Sequence, residues 1–98
     1  MTKITFTGDI IIAPEQLQAI TKNADGNFST IFEPIASLLK ESDFVVGNLE
    51  TPLGGKNLGY TNHKWSFNTP DELADALREI GFNMLTTANN HCLDRDKE

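Results

Sequence analysis

The chain has 98 residues, enough for one small domain or part of a larger one, and its 39% hydrophobic content is ordinary for a globular protein. Its net charge of −6 argues against a nucleic-acid partner, because binding to phosphates needs a concentrated basic surface. The single cysteine, Cys92, excludes an intrachain disulfide, and no apolar run approaches the roughly 20 residues that span a bilayer.

The first third of the chain predicts a strand followed by helical segments. Thr2–Thr7 alternates polar and apolar residues and predicts a strand that ends at the following Gly-Asp pair. Pro14 starts a turn or a short helix. A longer helix is predicted to begin near Thr30, which has capping-box spacing with Glu33, and Pro34 falls in its first turn. The apolar stripe of this helix consists of Phe32, Ile35, Leu38 and Leu39.

The remainder of the chain predicts two more strands and the clearest helix. Residues 43–47 (D-F-V-V-G) are nearly all apolar and predict a strand buried on both faces. Residues 51–68 form a long polar loop. A helix follows, with Thr69 as N-cap, Glu72 closing a capping box and Gly81 as the stop, and residues 83–87 predict the third strand. The core-facing residues of this helix are Leu73, Ala76, Leu77 and Ile80.

The order strand, helix, strand, helix, strand predicts an α/β fold with a parallel sheet covered by helices. Polar side chains follow the carboxyl end of each predicted strand, where an open α/β sheet binds its ligands. These side chains are Asp9 after the first strand, Asn48 and Glu50 after the second, and Asn89, Asn90 and His91 after the third. The sequence therefore predicts a functional site at this edge of the sheet.

The polar residues at this edge favour metal chemistry. Carboxylate, amide and imidazole groups suit Mn²⁺, Fe or Zn²⁺, and a carboxylate can bridge two cations that activate a water for attack on phosphorus. A histidine beside the metals can protonate a leaving oxygen. A serine hydrolase of the Gly-Asp-Ser type is excluded, because Ile10 stands where that class needs its nucleophilic serine.

Each residue also has a structural explanation. Asp9 could form a turn, Glu50 could be a solvated carboxylate, and Asn89 and Asn90 could be turn residues that tolerate positive φ. No neighbouring residue in the sequence would activate Cys92 as a nucleophile. We therefore expect its side chain to be a small, buried apolar group. The weaker candidates for supporting or substrate contacts are Asn48, Asn89, Asp94 and His63.

Three segments resemble the N-terminal motifs of CapA-like capsule-synthesis (poly-γ-glutamate, PGA_cap) proteins, which belong to the calcineurin-like metallophosphoesterase superfamily. The segments are residues 4–10 (I-T-F-T-G-D-I), 45–52 (V-V-G-N-L-E-T-P) and 87–94 (T-A-N-N-H-C-L-D). The resemblance implies that residues 1–98 are the N-terminal part of a single domain, a partial metallophosphoesterase-like fold whose C-terminal part is missing. That fold is a two-sheet sandwich flanked by helices.

The same resemblance implies roles for individual residues. Asp9 would ligate the first of two divalent metals, Glu50 would bridge them, Asn90 would ligate the second and His91 would be catalytic. Ile11 stands where the broad superfamily usually has a histidine. Further ligands of the family would come from later motifs, so we expect these 98 residues alone to be a poor catalyst.

The polar edge and the family resemblance together lead us to expect one of two functions. The first is hydrolysis of a phosphate ester by metal-activated water. The alternative is a non-catalytic protein that binds or helps export an anionic polymer such as poly-γ-glutamate. The N-terminus lacks signal-peptide features, which predicts a cytoplasmic protein. Incomplete coverage of the sheet predicts self-association or marginal stability.

Overall fold

The structure, a computed structural model, describes residues 1–55 and 66–94. Its helices and strands are, in chain order, β1 (Ile4–Ile10), α1 (Pro14–Asn23), α2 (Ser29–Lys40), β2 (Phe44–Leu49), α3 (Glu72–Ile80) and β3 (Met84–Thr86). The three strands form one parallel sheet in the order β1-β2-β3. The predicted α/β fold with a parallel sheet is confirmed, and it is consistent with part of a metallophosphoesterase-like fold. The first connection contains two helices, because the segment that begins at Pro14 is helical for ten residues.

The predicted N-caps are wrong, whereas the predicted start of the longer helix near Thr30 and the predicted stop at Gly81 are confirmed. Helix α2 begins at Ser29, and its N-cap is Phe28, which makes no side-chain capping bond, rather than Thr30. Phe28 is buried, and because the helix begins at Ser29, Pro34 lies inside the helix rather than in its first turn. Helix α3 begins only at Glu72, because the Thr69 hydroxyl is committed to another partner. Gly81 ends α3 with φ of 118°, a left-handed conformation that favours glycine.

The helices cover one face of the sheet. Parallel crossovers are right-handed, so two that step in the same direction place their helices on the same side. The buried residues form one hydrophobic cluster on that side, and it includes the four residues predicted to face the core from α3. In α2, Leu39 is buried, but Ile35 and Leu38 are exposed, so the predicted apolar stripe is wrong for those two. Among the described helices, none is long and apolar enough to cross a membrane.

The opposite face of the sheet is apolar and exposed. It consists of Ile4, Phe6, Phe44 and Met84, which we call the exposed sheet face. Val45 is 0% exposed on the helical side, whereas Phe44 beside it is 42% exposed. The prediction that β2 is buried on both faces is therefore wrong for the described residues, because the helices cover only one side.

Candidate functional site

A bulge in β1 determines the direction of Asp9. Phe6 pairs with Val46 in the parallel register, whereas Asp9 pairs with Asn48, so one residue of β1 has no counterpart in β2. Side chains alternate between the two faces of a strand, and an extra residue reverses that alternation. Ile10 is thereby directed into the core and Asp9 emerges, exposed, on the same side as Asn48.

A close approach of side chains explains why β2 carries a glycine opposite this bulge. A Cβ atom at Gly47 would lie 2.7 Å from the ring of Phe82, 2.9 Å from the Cδ1 of Ile10 and 2.9 Å from the Oγ1 of Thr7. A Cβ atom at Gly8 would meet nothing within 4 Å. Packing around the bulge therefore requires glycine at Gly47 and not at Gly8.

Asn48 connects the two candidate metal-binding carboxylates. Its Nδ2 donates hydrogen bonds to the Oδ1 of Asp9 at 2.9 Å and to the Oε2 of Glu50 at 2.6 Å. Its Oδ1 accepts from the Oγ1 of Thr86 at 3.0 Å and from the Nδ2 of Asn89 at 3.3 Å. Two carboxylates from different segments thus converge on one amide group at the carboxyl edge of the sheet.

Asn89 attaches the segment after β3 to the end of β2. Its Nδ2 donates to the backbone oxygen of Leu49 at 2.8 Å, and its Oδ1 accepts the backbone N–H of His91 at 3.0 Å. The neighbouring Asn90 is exposed and His91 is half-buried. Asn89 therefore brings the segment that carries Asn90 and His91 to the edge where Asp9 and Glu50 lie.

His91 is held by a carboxylate and an aromatic ring. Its Nδ1 lies 2.7 Å from the Oδ2 of Asp94, which is a buried residue. The ring of Phe67 packs against the imidazole edge to face, with centroids 4.8 Å apart and an interplanar angle of 86°. Of the weaker candidates, Asn48, Asn89 and Asp94 all belong to this hydrogen-bonded cluster, and His63 lies outside the described residues.

The donor set fits part of a metal site. Within residues 1–55 and 66–94, no group of three or more His, Cys, Asp or Glu side chains is placed to hold a metal ion. The carboxylates of Asp9 and Glu50 converge through Asn48, and such oxygen donors suit divalent ions. A zinc ion takes about four ligands, so two carboxylates would need water, substrate or further side chains to complete the site.

The predicted burial of Cys92 is wrong, and the sequence did not reveal two contacts near the site. Cys92 is exposed, whereas His91 and Asp94 in the same turn are half-buried and buried. The hydroxyl of Thr86 contacts Asn48, and no sequence pattern distinguishes it from other strand threonines. Thr51 and Thr69 form a buried hydroxyl pair at 2.8 Å that fastens the chain after β2 to the segment before α3. Because Thr69 lies two residues before an Asp-Glu pair, the sequence suggested a helix N-cap and not a contact with Thr51.

Comparison with known proteins gives a family and two relatives. The family model described as bacterial capsule synthesis protein PGA_cap matches residues 3–98. The chain is 29% identical over 91 residues to the PGA biosynthesis protein CapA of Bacillus subtilis (strain 168), covering 92% of this chain and 23% of that protein. It is 29% identical over 94 residues to the capsule biosynthesis protein CapA of Bacillus anthracis, covering 93% of this chain and 22% of that protein. The chain thus spans less than a quarter of the length of these curated relatives.

Proposed function

Because this chain belongs to the bacterial capsule synthesis protein PGA_cap family, we propose that the carboxyl edge of its sheet is part of a metal-dependent phosphoesterase site that serves capsule or poly-γ-glutamate biosynthesis. The observation that carries this proposal is the convergence of Asp9 and Glu50 on the amide of Asn48. Two exposed or half-exposed carboxylates held at hydrogen-bonding distance from one group attract a divalent cation.

Four side chains would act on the metals or the substrate. Asp9 and Glu50 would supply carboxylate oxygens, and the exposed Asn90, which directly follows Asn89 in the chain, would supply a neutral amide oxygen. The ions would be Mn, Fe or Zn, two in a complete domain, and when bound they would supply an activated water and neutralise charge on the phosphate. His91 would stand on the substrate side of these ligands.

The proposed role of His91 is proton donation. In phosphate-ester hydrolysis the water oxygen forms a bond to phosphorus, the ester P–O bond breaks, and the departing oxygen needs a proton. A protonated imidazole can supply that proton and become neutral, and a half-buried ring is shielded from bulk water. The net charge of −6 disfavours an anionic substrate unless cations are bound, which is consistent with a site built on carboxylates.

A non-catalytic role is the second candidate. Among the described residues, Asp9 and Glu50 supply fewer donors than a catalytic metal site needs, and fold alone does not decide function. In this alternative, cations at Asp9 and Glu50 would bridge the protein to the carboxylates of an anionic polymer, which the protein would bind or help to export. This role needs cation binding but no proton donor, so a requirement for His91 would distinguish the catalytic function from the non-catalytic one.

The test is hydrolysis of a phosphodiester such as bis-(p-nitrophenyl) phosphate by the full-length gene product with and without Mn²⁺. We expect Mn²⁺-dependent turnover that falls at least about 10-fold in Glu50→Gln, because loss of a metal ligand lowers activity by at least as much as loss of a residue that supports a ligand. The matched control is Glu33→Gln, an exposed carboxylate on α2, which should leave turnover unchanged. Unchanged turnover in Glu50→Gln would contradict the assigned role. Cation-dependent polymer binding without turnover would favour the second candidate.

A further inference from the structure

Asn89 uses both ends of its amide group to connect the turn at residues 89–94, which we call the histidine turn, with the end of β2. Its Nδ2 donates to the backbone oxygen of Leu49 at 2.8 Å and to the Oδ1 of Asn48 at 3.3 Å. Its Oδ1 accepts the backbone N–H of His91 at 3.0 Å. The reversed amide would set oxygen against oxygen at Leu49 and N–H against N–H at His91, so only one orientation satisfies these contacts.

Two amide side chains in series thus join the candidate metal-binding carboxylates to the histidine. The Nδ2 of Asn48 donates to Asp9 and Glu50, and its Oδ1 accepts from Asn89. The Oδ1 of Asn89 in turn accepts the backbone N–H of His91. The histidine turn therefore cannot move away from the carboxylates without breaking at least one of these hydrogen bonds.

The sheet ladder does not extend into the histidine turn. Strand β3 has three residues and ends at Thr86, where its register with β2 also ends. The backbone N–H groups of Asn89, Cys92 and Asp94 donate to oxygens of residues 87–91, so these bonds shape the turn without attaching it to the sheet. On the side of β2, the attachment is made by the side chain of Asn89.

From this geometry we infer that Asn89 is a positioning residue, which sets the distance between His91 and the carboxylates of Asp9 and Glu50. The inference rests on the proposed function of this edge, and it adds the residue that keeps the proton donor within reach of the departing oxygen. A general acid must lie at hydrogen-bonding distance from the oxygen that it protonates, and a displacement of about 1 Å can lower the rate about 100-fold. Asn89 acts through the backbone of His91 and contacts no reacting atom.

An Asn89→Asp substitution separates the contact within the turn from the attachment to β2. An aspartate oxygen can still accept the N–H of His91, but it has no hydrogen for the oxygen of Leu49 and sets a negative charge against it. Asn83→Asp is the matched control, because the Oδ1 of Asn83 accepts the N–H of Val45 and an aspartate oxygen can do the same.

Hydrogen exchange of backbone amides, followed by NMR, detects release of the histidine turn without activity. We expect the His91 N–H to exchange at least about 5-fold faster in Asn89→Asp than in the parent, as for the loss of one hydrogen bond. The N–H of Leu77, which is buried in α3, should keep its rate, because a general loss of stability would speed both amides. Asn83→Asp should change neither rate.

Two results of the exchange experiment would overturn the inference. One is an unchanged rate at His91 in a folded Asn89→Asp variant, and the other is equal acceleration at His91 and Leu77. If Asn89→Asp does not fold, Asn89→Ser decides in the same way. Its uncharged hydroxyl can accept the N–H of His91, but the side chain is one atom shorter and does not span to Leu49.

The choice of ester tests whether the attachment serves the proton donor. Bis-(p-nitrophenyl) phosphate releases a weakly basic oxygen that departs without a proton, whereas diphenyl phosphate releases a more basic oxygen that needs one. In the full-length gene product we expect Asn89→Asp to lower kcat at least about 10-fold more for diphenyl phosphate than for the nitrophenyl ester. Equal losses with the two esters would contradict the positioning role.

Failure of this inference and failure of the proposed function give different results. If exchange at His91 accelerates in Asn89→Asp as expected but Glu50→Gln does not reduce hydrolysis, then Asn89 holds the turn and the phosphoesterase proposal fails. If exchange at His91 is unchanged in Asn89→Asp while Glu50→Gln abolishes hydrolysis, then the function stands and the inference on Asn89 fails.

Discussion

Asp9 lies beside Asn48 in the register of β1 and β2, and the Nδ2 of Asn48 donates a hydrogen bond to the Oδ1 of Asp9 at 2.9 Å. This pairing depends on the bulge in β1, because an unbroken alternation would have directed Asp9 into the core and Ile10 outward. The same amide group also contacts Glu50, so a neutral residue separates two carboxylates at the proposed metal site.

Replacing Asn48 by aspartate should destabilise the chain and make its stability depend on cations. Asn48→Asp removes the donor that Asp9 and Glu50 share and adds a third carboxylate beside them. We expect the free energy of unfolding without divalent ions to fall by about 1–2 kcal/mol. The loss is no larger because Asp9 is exposed and water can replace the lost hydrogen bond. Saturating Mn²⁺ should restore much of this loss, because binding to the folded state alone is stabilising.

Thermal unfolding with and without Mn²⁺ measures both effects. Asn27→Asp is the matched control, since its side-chain oxygen accepts the N–H of Ser29 and an aspartate oxygen can do the same. A Tm of Asn48→Asp that equals that of the parent and does not respond to Mn²⁺ would contradict the proposed arrangement.

The close approach at Gly47 predicts a large effect of a single methyl group. In Gly47→Ala, the new Cβ would meet Phe82, Ile10 and Thr7 at 2.9 Å or less, and such overpacking costs about 1–3 kcal/mol. Gly8→Ala adds the same methyl where nothing lies within 4 Å, so it should change stability by no more than about 0.5 kcal/mol. Urea unfolding of both variants makes the comparison. Equal effects at the two glycines would show that the packing around the bulge is looser than described.

The buried hydroxyl pair of Thr51 and Thr69 should be energetically coupled. Both residues are at most 1% exposed, so Thr51→Val leaves the Thr69 hydroxyl buried without this partner, at a cost of about 1–3 kcal/mol. The double substitution with Thr69→Val should cost less than the sum of the single ones, because it leaves no unpaired hydroxyl at the contact. A double-mutant cycle by urea unfolding tests this, with the exposed Thr30→Val as control. Additive costs would rule out a direct hydrogen bond.

The exposed sheet face predicts self-association of the 98-residue chain. Phe6 is 74% exposed and lies in register with apolar neighbours on β2 and β3, and such apolar faces drive association in water. We expect sedimentation equilibrium to detect dimers, and Phe6→Thr to shift the population toward monomer while keeping a strand-forming residue. Leu38→Gln, at an exposed leucine on α2, is the control and should leave the dimer intact. A chain that stays monomeric at high concentration would contradict this prediction.

The strands, the parallel sheet and the polar edge could be predicted from the sequence. They depend on local patterns, namely the alternation of polar and apolar residues and the polar residues at strand ends, and tertiary contacts did not change these elements. The sequence did not predict the bulge, although a glycine inside a strand pattern is a signal for one. The N-cap predicted at Thr69 was wrong because its hydroxyl pairs with that of Thr51, 18 positions away, and spacing along the chain cannot reveal such a contact. The exposure of Phe44 and Leu38 depends on which elements cover each face, and that is a property of the assembled fold.

Titration calorimetry of Mn²⁺ into the 98-residue chain tests most directly whether Asp9 and Glu50 form a cation site. We expect saturable binding that weakens at least about 10-fold in Asp9→Asn and in Glu50→Gln, each of which removes one charged ligand. Glu33→Gln, which changes the net charge equally, should bind as the parent does. Mn²⁺ binding that is absent in the parent, or equally strong in all four proteins, would contradict the account.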